Sequence, residues 1–138
     1  MDQYKFHMGR LRASGLRPTR QRIIICKALF DRKETFHFTI EKLKKIIEKE
    51  SRKKMSVATL YNTVHAFKKK GYLKEISLKG NKTFFDTNTK HHHHFYDEDM
   101  SLLFDIEEKN ISISHLPRTP SGKKIKSVEV LVKIEGIN

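Results

Sequence analysis

Cysteine is almost absent from the 138-residue chain, in which Cys26 is the only one. A single cysteine excludes an internal disulfide and any zinc site built from two or four cysteines of one chain. Long apolar runs are also absent, since none approaches the roughly 18 residues that a membrane-spanning helix needs. The amino-terminal residues lack the basic-then-apolar layout of a signal peptide. We therefore expect a soluble, cytoplasmic protein with no membrane partner.

Acidic residues are few, and the basic residues are unevenly distributed. The chain carries 29 lysines and arginines against 16 aspartates and glutamates, a net charge of +13. Residues 1–90 hold 23 of these cations and 8 of the acids, whereas residues 91–138 hold 6 and 8. The basic segment matches the phosphate backbone of a nucleic acid, although a lysine-rich surface that serves only solubility is the alternative. The remainder suits self-association or ligand sensing.

Three helices are predicted in the basic segment. The first follows Thr19 and runs to about Arg32, the second starts near Thr39, and the third follows Ser56 and ends at Gly71. Serine and threonine are favoured N-cap residues because their hydroxyl accepts a first-turn N–H, and glycine is favoured at the carboxyl end. These signals are local, so they predict where each helix begins or ends.

The third helix has two contrasting faces. Val57, Leu60, Val64 and Phe67 recur at spacings of three and four, which predicts that they face the core. The opposite face is short, polar or small and carries no charge until the last turn. Its members are Thr59, Asn62, Thr63 and Ala66.

Two short strands follow, Tyr72–Leu78 and Thr83–Asp86, with a basic Lys-Gly-Asn-Lys turn between them. Three helices and a hairpin with a basic tip predict a winged helix-turn-helix that places its third helix in the major groove of DNA. A small α+β core in which Tyr61 is simply packed is the alternative. On the first interpretation, Thr59, Tyr61 and Asn62 contact bases or phosphates, and Lys79 and Lys82 at the hairpin tip neutralise phosphates.

The remainder of the chain predicts a small sheet. Its strands are Met100–Ile106, Ile111–His115 and Ser127–Ile134, separated by a loop with two prolines. A sheet this small has little core of its own, so we expect it to pair with a second copy in a homodimer. The predicted fold class is α+β, with an amino-terminal winged helix-turn-helix domain (1–88) followed by a small α/β dimerisation and sensing domain (89–138).

Four consecutive histidines, His91–His94, follow the hairpin. Neutral imidazole is the commonest side-chain ligand for zinc, iron and heme. In an extended segment alternate side chains share a face, so His92 and His94 can bind one metal ion. His37 and Asp86, each near a junction between elements, are candidates for the other two ligands. A flexible polar loop with incidental metal affinity is the alternative.

The chain resembles the ferric uptake regulator family along nearly its whole length. The resemblance depends on residues 15–22 (GLRPTRQR), 37–41 (HFTIE) and 56–64 (SVATLYNTV), with the histidine run at the expected distance. It implies a dimer that binds an A/T-rich inverted repeat. The basic charge of residues 1–90 then suggests that Arg17 enters the minor groove, where narrow A-tracts attract arginine, and that Arg20 neutralises a phosphate. It also implies a divalent-metal site for Fe, Mn or Zn at His37, Asp86, His92 and His94.

Within that family the chain is most similar to the iron response regulators, which sense heme and control iron and heme genes. Residues 85–88, 92–96 and 116–122 support this similarity, which implies heme binding by His92, His93 and His94. The CxxC pairs that hold a structural zinc in many relatives are missing. The Cys-Pro heme motif is also missing, because Lys27 follows Cys26.

Three other functions are alternatives to a heme-responsive regulator. A repressor of the same family that depends only on a divalent metal uses the same histidines without heme. A non-specific nucleic-acid-binding protein fits the charge but not the histidine cluster. A metalloenzyme would need a general base that the sequence does not indicate, so we expect no catalysis.

Overall fold

The computed structural model describes residues 3–80 and 82–138. The chain divides into two compact units, one ending at Thr89 and the other running from Lys90 to Asn138. The boundary predicted between residues 88 and 89 differs from this division by one residue. Within the described ranges, no helix is long and apolar enough to cross a membrane.

The first unit contains four helices and three short strands. Thr19, Thr39 and Ser56 each accept a hydrogen bond from a first-turn N–H. The N-caps predicted at Thr19 and Ser56 are therefore confirmed, and the helix predicted to start near Thr39 is capped by that residue. Gly71 ends the fourth helix with a φ of +92°, a left-handed conformation that glycine adopts without strain. The elements are α1 (Gln3–Ala13), α2 (Arg20–Phe30), β1 (His37–Phe38), α3 (Ile40–Ser51), α4 (Val57–Lys70), β2 (Lys74–Leu78) and β3 (Lys82–Asp86).

The core of the first unit is formed mainly by the four helices. Leu11 of α1, Ile25 of α2, Leu43 of α3 and Leu60 of α4 are all fully buried. The helix α1 had no sequence signal, because its buried residues are only His7 and Leu11. It is held by packing on α2 rather than by a long apolar stripe of its own.

Two predictions for α4 are wrong. Val57 is 51% exposed, whereas Thr63 is fully buried and donates its hydroxyl to the Thr59 carbonyl. The first buried residue of α4 is Leu60, because the first turn of the helix extends beyond the core. The buried stripe is therefore completed by Thr63 and not by Val57.

Arg10 of α1 lies over three aromatic rings. Its guanidinium carbon is 4.2–4.7 Å from the ring centroids of Phe6, Phe30 and Tyr72. Burial among these rings lowers the pKa of Arg10 from its ordinary value, because desolvation disfavours the charged form. The cation–π contacts attach α1 to α2 and to the residues that follow α4.

The sheet of the first unit has the order β1-β3-β2 and is antiparallel throughout. The predicted hairpin is present, although its first strand starts at Lys74 rather than Tyr72. Gly80 has a φ of +80° in the turn, and Asn81, the second residue of the predicted turn signal, lies outside the described residues. The strand β1 had no sequence signal, because it is only two residues long.

The second unit contains a three-stranded sheet with the order β5-β4-β6. Its strands are β4 (His92–Asp97), β5 (Leu102–Glu107) and β6 (Leu131–Ile134), and a 3₁₀ turn follows β5 at Glu108–Asn110. The central strand β4 pairs antiparallel with β5 and parallel with β6. The histidine run therefore lies on the central strand of this sheet.

Two predicted strands of the second unit need correction. Ile111–His115 is not a strand, because no neighbouring strand of the described sheet pairs with it. The predicted strand Ser127–Ile134 begins only at Leu131. Before Leu131, histidine rings also bind this segment, since His91 Nε2 donates to the Val128 carbonyl and Val130 N–H donates to His93 Nδ1.

Candidate nucleic-acid interface and metal centre

A hollow of about 590 Å³ lies between the amino-terminal turns of α2 and α4. Three residues predicted to contact DNA, Arg20, Thr59 and Asn62, line it together with Arg22. Thr19 caps α2 at this point, so the first-turn N–H groups and the positive end of the helix dipole face the same region. Positive charge and polar groups of this kind suit a phosphate group.

The exposed face of α4 continues from the hollow along the helix. Tyr61 is 51% exposed and stacks on His65 one turn later, with ring centroids 5.9 Å apart and ring planes 8° from parallel. The Thr59 hydroxyl shares a 2.9 Å hydrogen bond with the Ser56 hydroxyl at the N-cap. Tyr61, Asn62 and His65 are therefore the exposed polar side chains of this face. His65 had not been singled out from the sequence, although its position four residues after Tyr61 could have revealed it.

The other predicted DNA contacts are exposed in the first unit. Arg17 lies in the loop before α2, and its carbonyl accepts a 2.8 Å hydrogen bond from Arg22 Nη1, which braces the loop. Lys79 and Lys82 are exposed on either side of the hairpin turn. Arg22 is a further residue that the sequence analysis missed.

The first unit also contains a buried histidine–carboxylate pair. The β1–β3 register places His37 opposite Asp86, and His37 Nε2 lies 3.2 Å from Asp86 Oδ2. Asp86 is 1% exposed, and its other oxygen accepts a 2.8 Å hydrogen bond from the Asn88 N–H. A buried carboxylate is costly unless cationic or hydrogen-bonded partners surround it. The structure thus brings together two of the predicted metal ligands.

The second unit brings together three donors, His92, His94 and Asp105. Asp105 is directly opposite His94 in the β4–β5 pairing. Its Oδ1 lies 3.2 Å from His92 Nε2 and 3.4 Å from His94 Nε2, and the donor atoms of the three residues lie within 4.8 Å of one another. Two imidazoles and one carboxylate suit zinc, iron or manganese. Asp105 was missed because strand pairing, not spacing along the chain, places it here.

The hydrogen bond that His92 makes to the backbone suits it to act as a metal ligand. Its Nδ1–H donates to the Lys90 carbonyl at 2.6 Å, so Nε2 carries the lone pair in the neutral ring. Nε2 lies 3.2 Å from Asp105 Oδ1, so the imidazole and the carboxylate can bind the same cation. A backbone carbonyl that fixes the opposite ring nitrogen is the arrangement typical of metal-bound histidines.

His91 and His93 form a separate pair, with ring centroids 5.2 Å apart. His93 Nδ1 accepts a 2.9 Å hydrogen bond from Val130 N–H, so the ring proton of neutral His93 is on Nε2. Both ring nitrogens of neutral His93 are therefore unavailable as metal ligands. The heme contact predicted for His93 would require this hydrogen bond to break.

One face of the second unit's sheet is apolar and exposed. Phe95 pairs with Phe104 on one side and Val132 on the other, and Leu102 lies two residues before Phe104 on the same face. Phe95, Leu102 and Phe104 are 37%, 41% and 47% exposed, respectively. Adjacent apolar side chains of this kind are typical of an interaction surface.

Known proteins resemble both the sequence and the fold. The family model of the ferric uptake regulators matches residues 13–133. The peroxide-responsive repressor PerR of Staphylococcus aureus is 31% identical over 97 residues, a match that covers 70% of this chain but only 64% of that protein. The ferric uptake regulator of Vibrio cholerae superposes with a TM-score of 0.70 at 18% identity, over 94% of this chain and 98% of that chain. The ferric uptake regulator of Pseudomonas aeruginosa with manganese superposes with a TM-score of 0.67 at 16% identity, over 96% of this chain and 98% of that chain. The predicted α+β fold is confirmed, and the chain belongs to the ferric uptake regulator family.

Proposed function

We propose that the chain is a homodimeric transcriptional regulator whose DNA binding depends on a divalent metal ion. The observation that supports this most strongly is the surface formed by α2 and α4. Arg20, Thr59 and Asn62 line one hollow there, and Tyr61 is exposed beside it. Phosphate contacts from α2 would position the protein, while Tyr61 and Asn62 of α4 would read bases in the major groove. The +15 charge of residues 1–90 supports the same partner.

We infer that the metal ligands are His37, Asp86, His92 and His94, with Asp105 added. The sequence resemblance assigns the first four to one site. Within each unit these residues form a preorganised donor set, with two donors in the first unit and three in the second. A divalent cation, when bound, would be held by the imidazole nitrogens and carboxylate oxygens of these donor sets. A metal ion that binds the DNA-competent form more tightly than other forms would raise DNA affinity by the same factor.

The apolar sheet face supports a homodimer. Two copies that pair through Phe95, Leu102 and Phe104 would present two copies of α4 to one duplex. A two-fold symmetric protein binds a two-fold symmetric site, so we propose that the target is an inverted repeat. Its A/T-rich composition and the minor-groove contact of Arg17 stay predictions. Because the relatives in Staphylococcus aureus are named as repressors, we propose repression as the outcome.

Heme and peroxide are alternative effectors. The heme-sensing branch stays a prediction, and the hydrogen bond that His93 accepts from Val130 favours a simple metal ion instead. Peroxide is suggested by the names of the relatives. Cys26 is 0% exposed and burial raises its pKa to about 12, so a peroxide response would have to act at the histidine–carboxylate ligands rather than at this thiol.

The test is DNA binding by fluorescence anisotropy with a duplex selected from a randomised pool by the Mn²⁺-loaded protein. The measurement compares chelator-treated, Mn²⁺-loaded and hemin-loaded protein. We expect Mn²⁺ to strengthen binding by at least tenfold, and Tyr61→Ala to lower the preference for the selected duplex over a scrambled one by about tenfold. No Mn²⁺ effect together with release by hemin would support the heme branch instead. Equal binding of both duplexes by the unaltered protein would indicate a non-specific nucleic-acid-binding protein.

Matched variants of the histidine run locate the effector site. We expect His92→Ala and Asp105→Asn each to weaken Mn²⁺ binding by about 10- to 100-fold or more. The neighbouring His91→Ala should leave it nearly unchanged, because its Nε2 is used by the Val128 carbonyl. Equal losses in all three variants would contradict the assignment of ligands.

A further inference from the structure

The groove between α1 and α2 is a basic surface that the proposed function uses only in part, through Arg17 and Arg20. It has a volume of about 710 Å³ and is lined by side chains of α1, of the following loop and of α2. Four of its lining residues are cations: Arg12, Arg17, Arg20 and Lys27. None of its described lining residues is acidic. Four cations around one groove create a positive potential that attracts an anion.

We propose that this groove binds the phosphate backbone of duplex DNA next to the segment read by α4, so that α1 is part of the DNA-binding surface. The proposal rests on the proposed function. Arg20 and Thr19 line both this groove and the hollow between α2 and α4, so the two surfaces are continuous. A backbone strand that reaches Arg20 from the α4 side would continue towards Arg12 and Lys27.

The exposure of the cations favours DNA over a small amphipathic anion. A small-ligand site orients its ligand with a few precisely placed, largely enclosed polar groups. Here Arg12, Arg17, Arg20 and Lys27 are all exposed. Exposed arginines and lysines spread over several elements are the usual contacts to a nucleic-acid backbone, which position the protein without reading sequence. The apolar part of the groove, formed by Met8 and Ile24, would lie against the sugars.

The test measures the salt dependence of DNA affinity for the full-length, Mn²⁺-loaded protein. Each phosphate neutralised contributes about 0.9 to the slope of log K against log salt concentration. We expect Arg12→Gln and Lys27→Gln each to reduce that slope by about 1, and the double variant by about 2. Affinities for selected and scrambled duplexes should fall by the same factor, because backbone contacts carry no sequence information.

Lys33→Gln is the matched control. It removes the same charge just beyond the carboxyl end of α2, whereas Lys27 lies in the groove. All three altered side chains are exposed, so the variants should fold, which thermal unfolding monitored by circular dichroism verifies. A slope that falls equally for Lys33→Gln would mean that only net charge matters, and would overturn the proposal.

The remaining outcomes separate this proposal from the proposed function. If the unaltered protein binds no duplex, both fail. A second outcome is that the unaltered protein binds specifically and Tyr61→Ala lowers that specificity, while Arg12→Gln and Lys27→Gln keep the full salt slope. In that case only the groove assignment is wrong. If those two variants keep the slope but lose binding of a dansyl-labelled fatty acid that the unaltered protein binds, the groove is an amphipathic-ligand site and the proposal is also overturned.

Discussion

Truncation of Phe104 should break the proposed dimer at the apolar face of the second unit. Phe104 is 47% exposed. Burial of that fraction of an aromatic side chain removes roughly 90 Å² from water, which contributes about 2 kcal/mol at about 25 cal/mol per Å². Two-fold symmetry makes the contact occur twice, so Phe104→Ala should cost about 4 kcal/mol. The dimer dissociation constant should therefore rise by about three orders of magnitude.

Sedimentation velocity over a range of protein concentrations measures this dissociation constant directly. Ile125→Ala is the matched control, because Ile125 is 48% exposed but lies outside the three strands. The control should remain as dimeric as the unaltered protein. A dissociation constant for Phe104→Ala within threefold of the unaltered value would refute the assignment of this face. An equal loss in Ile125→Ala would do the same.

Three further predictions concern the first unit. Arg10→Met should lower the free energy of unfolding, measured by urea denaturation, by about 1–2 kcal/mol, because three aromatic rings lose their cation. Arg32→Met removes the cation from only one ring, so it should lower the free energy of unfolding by less. Cys26 should react with iodoacetamide at pH 8 only as fast as the protein opens, and fast labelling of the native state would contradict its burial and raised pKa. Gly71→Ala should destabilise the protein by about 1 kcal/mol because residue 71 has a positive φ. Gly9→Ala, in open space within α1, should stabilise the protein by about 0.5–1 kcal/mol. A higher melting temperature for Gly71→Ala than for Gly9→Ala would contradict this.

The helices of the first unit were largely predictable because their signals are local. Thr19 and Ser56 cap helices in the structure as the sequence indicated, the second predicted helix starts after Thr39, and Gly71 ends α4. An N-cap hydroxyl bonds a residue only three positions later, so no tertiary information is needed to predict it. The helix α1 was not predictable in this way, because its stability comes from Leu11, buried His7 and the rings around Arg10.

The second unit was less predictable because its elements depend on partners distant in sequence. The alternation of Ile111 and Ile113 predicts a strand, yet those residues pair with no strand of the described sheet. Asp105 had no signal of its own and became a candidate ligand only through the β4–β5 register. Strand formation needs a partner edge, whereas a helix satisfies its hydrogen bonds within one segment.

The histidine run shows how strand geometry gives one residue type two different functions. His92 and His94 share one face, with ring centroids 4.4 Å apart, and direct Nε2 towards Asp105. His91 and His93 instead form hydrogen bonds to the backbone at residues 128 and 130, just before β6. His92 and His94 are suited to bind a cation, whereas His91 and His93 form hydrogen bonds to the segment before β6. A one-residue slip of β4 would exchange the two pairs, so the register that places Asp105 opposite His94 decides which histidines can be ligands.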